Sequence, residues 1–92
     1  MTWFTVDTRY ADLDRMQEVR PTHRAYLNGF VESGRVLAGG PWADGEGGFF
    51  VVKAADRAEL DKILAEDPYQ LEGVVAERTI REWTIVLGPW AD

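Results

Sequence analysis

The sequence predicts an α+β fold whose main elements follow the order β-α-β-β-α-β. Three observations carry that expectation. Thr2 to Asp7 alternates in the manner of a strand and is rich in aromatic and β-branched residues. Phe49 to Ala54 is an almost continuous apolar run, as expected of a central strand covered on both faces. Two helical stripes, Tyr26-Leu27-Phe30-Val31 and Leu60-Ile63-Leu64, separate the strand-like segments.

After the first strand, Thr8 to Val19 places Leu13, Met16 and Val19 at a loose helical spacing that Pro21 interrupts. The residue before a proline is pushed out of the α region, whereas proline itself suits a first helical position. The main helix is therefore expected from Pro21 to about Ser33, with Gly34 as its stop. His23 falls three and four residues before Tyr26 and Leu27 and shares their inward stripe. Arg35 to Pro41 reads as a short strand, and a glycine-rich loop through Trp42, Asp44 and Gly48 leads to the strand at Phe49. Asp56 and Glu59 resemble a capping box opening a second helix to about Asp67, where Pro68 ends it. Asp67 prolongs the stripe of Leu60, Ile63 and Leu64. Tyr69 to Gly73 is expected to turn, and Val75 to Leu87 to form a long last strand. This order is the ferredoxin-like one, and right-handed crossovers place the strands 4-1-3-2 with both helices on one face. The opposite face, carrying side chains from Phe49–Ala54 and Trp83–Leu87, is too apolar to stay in water, so a homodimer through that face is expected.

Composition narrows the function classes. At 92 residues there is room for one domain over residues 1–92. So short a chain removes only about 60–65 % of its unfolded surface from water. Yet 46% of the residues are apolar, including four Trp, four Phe and three Tyr, more than a thin core needs. A ligand pocket and a partner copy are the natural outlets. The net charge of −6 and the lack of a Lys/Arg cluster argue against nucleic acid and anionic membranes. Without cysteine there is neither a disulfide nor a thiolate metal site. A start reading Met1-Thr2-Trp3-Phe4 has no basic segment, and no apolar run approaches the roughly 20 residues of a membrane span, so a cytoplasmic setting is expected.

In this topology the start of the first helix, the end of the second and the loop between strands two and three share one end of the sheet. His23, Asp67 and Asp44 then converge on a rim, with Arg20, Asp7 and Trp42 nearby. A carboxylate bonded to one imidazole nitrogen fixes the tautomer and leaves the other nitrogen free for acid–base work. No serine or cysteine nucleophile stands beside it, a lone His with scattered carboxylates makes no metal site, and the glycines at 45, 47 and 48 join two strands and form no phosphate loop. Each residue also has a plainer reading. A lone inward His suits a structural hydrogen bond, Asp67-Pro68 suits helix punctuation, Asp44-Gly45 suits a turn, and Trp42 and Trp83 suit packing.

Arg20-Pro21-Thr22-His23, Gly34-Arg35-Val36-Leu37, Gly39-Gly40-Pro41, Asp44-Gly45, Gly47-Gly48, Asp67-Pro68-Tyr69 and Gly73 stand in the order typical of YCII-related (YciI-like) proteins. The resemblance runs from the first strand to Trp83. It implies a dimeric α/β-barrel of ferredoxin-like protomers, and a functional His–Asp pair that maps onto His23 and Asp67. Relatives with an assigned activity perform acid–base steps on small cyclic molecules. The expected function is thus a cofactor-independent lyase or isomerase for a small cyclic or aromatic metabolite. His23 and Asp67 would be catalytic, and Arg20, Trp42 and Asp44 would bind substrate. A non-catalytic ligand-binding or regulatory module, and a cofactor-free oxygenase, are the alternatives.

Overall fold

The computed structural model describes residues 1–91. Its elements are β1 (Thr2–Tyr10), α1 (Leu13–Glu32), β2 (Val36–Pro41), β3 (Gly47–Ala54), α2 (Arg57–Ala65), the short α3 (Pro68–Leu71) and β4 (Val75–Trp83). The four strands form one sheet in the order β2-β3-β1-β4, with every neighbouring pair antiparallel. This is the ferredoxin-like order 4-1-3-2.

Pairing across β1 sorts the side chains by face. Phe4 lies opposite Val52 and Val6 opposite Phe50, and these four join Leu60 and Leu64 of α2 in the main core, with Leu27 and Phe30 of α1 packed against it. Both helices therefore cover the same face. Trp3, Thr5 and Asp7 alternate to the other face, opposite Lys53, Val51 and Phe49 of β3. Only half of the apolar run Phe49–Ala54 reaches that open face, which is consequently more polar than the sequence predicts.

The first helix starts eight residues before its expected boundary. Asp12 caps it by accepting the Arg15 amide at 3.0 Å, and Pro21 sits inside it. A proline within a helix removes one backbone donor and crowds the preceding turn. Here Pro21 and Gln17, whose carbonyl loses its partner, are both exposed, so water can take that bond. Met16 and Val19 are meanwhile buried with Tyr69 and Val74 in a second apolar cluster. Tertiary packing thus holds the turns that local propensity would end. At the far end Gly34 adopts φ +79°, and the amides of Gly34 and Arg35 close back on Val31 and Phe30.

Other boundaries differ as well, and β3 begins at Gly47, two residues before the expected Phe49. β1 continues to Tyr10 because Arg78, Glu77 and Val75 of β4 still pair with it. β4 stops at Trp83, opposite Trp3, where β1 runs out of residues to pair. Pro68 does end α2, but it also opens α3, with Asp67 as the cap accepting the Tyr69 amide at 2.9 Å. No helix among the described residues is long and apolar enough to cross a membrane.

Candidate functional site

The turn between α2 and α3 buries a carboxylate. Asp67 is 1% exposed, and both of its oxygens are engaged. Oδ1 lies 2.7 Å from His23 Nδ1 and accepts the Tyr69 amide; Oδ2 accepts from Arg78 Nη2 at 2.7 Å. The residues 44 positions apart in sequence meet because α1 passes over the α2–α3 turn. His23 stands mid-helix rather than in the first turn, since α1 begins at Leu13. What helix-end topology had to supply in the sequence reading is supplied instead by the inward face of a long helix.

The imidazole is held on a second side by Tyr69, whose ring stacks on it with centroids 3.6 Å apart and planes 4° from parallel. Tyr69 in turn meets Tyr10 edge-on at 5.6 Å. An ionised carboxylate accepts and never donates, so in the neutral imidazole the contact with Asp67 places the proton on Nδ1 and leaves a lone pair on Nε2. Among the described residues Nε2 has no hydrogen-bond partner. Because no buried side-chain nitrogen or oxygen among the described residues lacks a partner, Nε2 must reach solvent.

Arg78, on β4, was not anticipated from sequence. Its side chain is only 9% exposed, and besides Asp67 it donates to the Leu64 carbonyl at 3.2 Å. Burial pushes its pKa below the ordinary guanidinium value, while the Asp67 carboxylate opposes that shift. Burying a carboxylate without a counter-charge is costly; the Arg78 pair explains how Asp67 is accommodated so deep in the protein.

His23 lines a cavity of about 310 Å³ between α1 and the β2–β3 half of the sheet. One stripe of α1 forms a wall: Arg20, His23, Arg24, Leu27, Asn28 and Val31. Val36 and Phe50 close the apolar end, and Gly39, Gly40 and Gly48 leave the strand side largely backbone. Arg20, expected at the rim ahead of the helix, lies inside α1 and lines the cavity. Trp42 and Asp44 do not line it. The loop turns to the helix-free face, where Trp42 Nε1 donates to Asp7 at 3.0 Å and its ring meets Phe49. Asp44 accepts the Glu46 amide at 2.9 Å, which is turn chemistry. Arg24, one turn beyond Arg20, is the lining cation the sequence reading passed over; its i, i+4 spacing from Arg20 was the available signal. No group of three or more potential metal ligands occurs among the described residues.

This fold and arrangement define a ferredoxin-like protein with a carboxylate-held histidine on a small cavity. The family model of the YCII-related domain matches residues 2–84, and the chain belongs to that family. Among solved structures it is similar to 5-chloro-2-hydroxyhydroquinone dehydrochlorinase from Burkholderia phenoliruptrix, in complex with 2,5-dihydroxybenzoquinone. The match has a TM-score of 0.81 over 98% of this chain and 99% of that one, at 21% identity, and speaks to the fold. No curated protein is matched.

Proposed function

We propose that the protein is a cofactor-independent lyase or isomerase acting on a small cyclic or aromatic metabolite. The observation that carries this reading is the imidazole locked by Asp67 through Nδ1, with Nε2 unpartnered in a residue that lines the cavity. Nε2 takes a proton from an acidic ring C–H or O–H. Asp67 balances the imidazolium that forms, and Tyr69 keeps the ring plane fixed. In an elimination, the electron pair of the broken bond becomes the new double bond as the leaving group departs as an anion. In an isomerisation, the same nitrogen returns the proton at another position. The structurally similar dehydrochlorinase gives a precedent for elimination on this fold.

A panel of halogenated and hydroxylated dihydroxybenzenes and small lactones tests the reading, with halide release and solvent-deuterium exchange followed by NMR. Wild-type protein is expected to turn over or exchange at least one member. His23→Gln should abolish that activity, about 10²–10⁴-fold, while the fold is retained. Activity that survives in His23→Gln, or a panel without any exchange, would count against it.

We further infer that two copies pair through the helix-free sheet face. That face and the segment after it expose Trp42, Trp83, Val86, Leu87 and Trp90. Exposed apolar surface of this kind favours association.

A further inference from the structure

The cavity is cationic at one end and apolar at the other, and no carboxylate among the described residues forms a salt bridge with that charge. No aspartate or glutamate lines it, although the chain carries 16 acidic residues against ten basic ones. Among the described residues, Arg9, Arg15, Arg35, Arg57 and Arg78 all make salt bridges, whereas Arg20, Arg24 and Arg81 make none, and of these three only Arg20 and Arg24 line the cavity. The hydrogen bond of the Arg20 guanidinium goes to the neutral sulfur of Met16, at 3.1 Å. Asp67, the nearest buried carboxylate, is already matched by Arg78. Tyr10 also lines this end, and its hydroxyl stays protonated: burial pushes its pKa up first, Tyr69 adds to that, and Arg20 and Arg24 oppose it without prevailing. Two guanidinium groups therefore flank His23 along the helix, at i−3 and i+1, with no carboxylate partner among the described residues.

We propose that Arg20 and Arg24 form an anion-binding subsite that selects a single-ring organic acid, its carboxylate or other ionised oxygen lying at the arginines and its ring on Leu27, Val31, Val36 and Phe50. Planar guanidinium groups recognise such oxyanions with paired, charge-assisted hydrogen bonds. Size agrees with a single ring. A cavity of about 150 Å³ admits benzene, so one of about 310 Å³ has room for a ring with its substituents. The direction of the stripe sets the pose. Arg20, His23 and Arg24 lie at one end and Leu27 and Val31 at the other, so the ionised group enters next to Nε2. There the same two cations would hold a developing enolate or phenolate after proton removal. This deepens the acid–base reading by naming the charge of its substrate.

Calorimetric titration of the full chain with benzoate, salicylate and the neutral isostere benzamide tests the proposal by binding, independently of turnover. Benzoate or salicylate is expected to bind about tenfold more tightly than benzamide, with a preference that shrinks as salt is raised. Arg20→Met and Arg24→Met should each remove most of that preference, and Arg24→Lys should keep part of it. Equal affinity for benzoate and benzamide, a preference unchanged in both methionine variants, or no binding of either anion would overturn it. If these results fail while His23→Gln still abolishes turnover, the acid–base reading stands and the anion subsite falls.

Discussion

Asp67 serves three partners with two oxygens, and each contact makes a different demand on the sequence. As an N-cap it needs only to precede Pro68 and Tyr69; as the partner of His23 it must face inward; as a buried charge it needs Arg78. The second demand was legible, because a helix stripe is a local pattern. The first was misread, since Asp67 was expected to end one helix and in fact caps the next. The third was not legible. A lone arginine on a strand of mixed polarity reads as surface, and only the assembled sheet shows that Arg78 points under α2. Removing one partner of a buried pair leaves an uncompensated charge, so Arg78→Met should cost about 3–5 kcal/mol in urea denaturation. The Asp67→Asn/Arg78→Met double variant should recover part of that loss, whereas a single-variant cost below about 1 kcal/mol would mean that Asp67 does not depend on the pair. The phenols give a second check. Burial is the main cause that raises both Tyr10 and Tyr26 above 10.0, and Tyr26 also donates to the Ile63 carbonyl at 2.6 Å. With the folded value raised, their contribution to stability is whole below the unfolded pKa and is lost as pH rises through the folded one. Alkaline titration followed by ultraviolet absorbance should therefore show Tyr10 and Tyr26 ionising later than free tyrosine, with stability falling across the same window.

At the scale of elements, order and strand type were readable and boundaries were not. The alternation of Thr2–Asp7, the apolar β3 and the Asp56–Glu59 cap all lead to the observed elements, and the cap is seen as the Glu59 amide bonded to Asp56 at 2.9 Å. Pro21 misled because its local effect is outweighed by the burial of Met16 and Val19 one turn earlier. Relieving that conflict should stabilise the helix: Pro21→Ala restores a donor toward the Gln17 carbonyl and is expected to raise stability by about 1–3 kcal/mol. Ligand binding reported by Arg20 and Arg24 would shift in the same variant if the proline sets the course of α1 past the cavity. A close approach constrains β3 differently. A Cβ on Gly47 would lie 2.2 Å from the Thr8 carbonyl oxygen of β1, a backbone atom with little freedom to yield. Gly47→Ala should cost at least about 1–3 kcal/mol, measured by thermal or urea unfolding. The loop before it was read as part of the rim, and the Trp42–Asp7 bond shows why it is not: it anchors on the helix-free face.

For the whole molecule, the one-sided fold leaves a sheet face that bears Trp3, Val51 and Phe49 among Thr5, Asp7 and Lys53. Lys53 already lies over the Trp3 ring at 4.7 Å, so this face mixes apolar and charged groups. A second copy stacked there should bury at least about 1,000 Å² in total. Light scattering is expected to give a dimer at micromolar concentration, and Trp83→Asp to shift it toward monomer; a monomeric wild type would contradict the pairing. The central claim needs no substrate to be tested, because the entire chain holds one histidine. Long-range proton–nitrogen NMR correlation of that imidazole, in the neutral form, reports which nitrogen carries the proton. The account predicts a protonated Nδ1 held by Asp67 and a lone pair on Nε2, with the assignment lost in Asp67→Asn. A dominant Nε2–H tautomer, or a spectrum unchanged by Asp67→Asn, would contradict it.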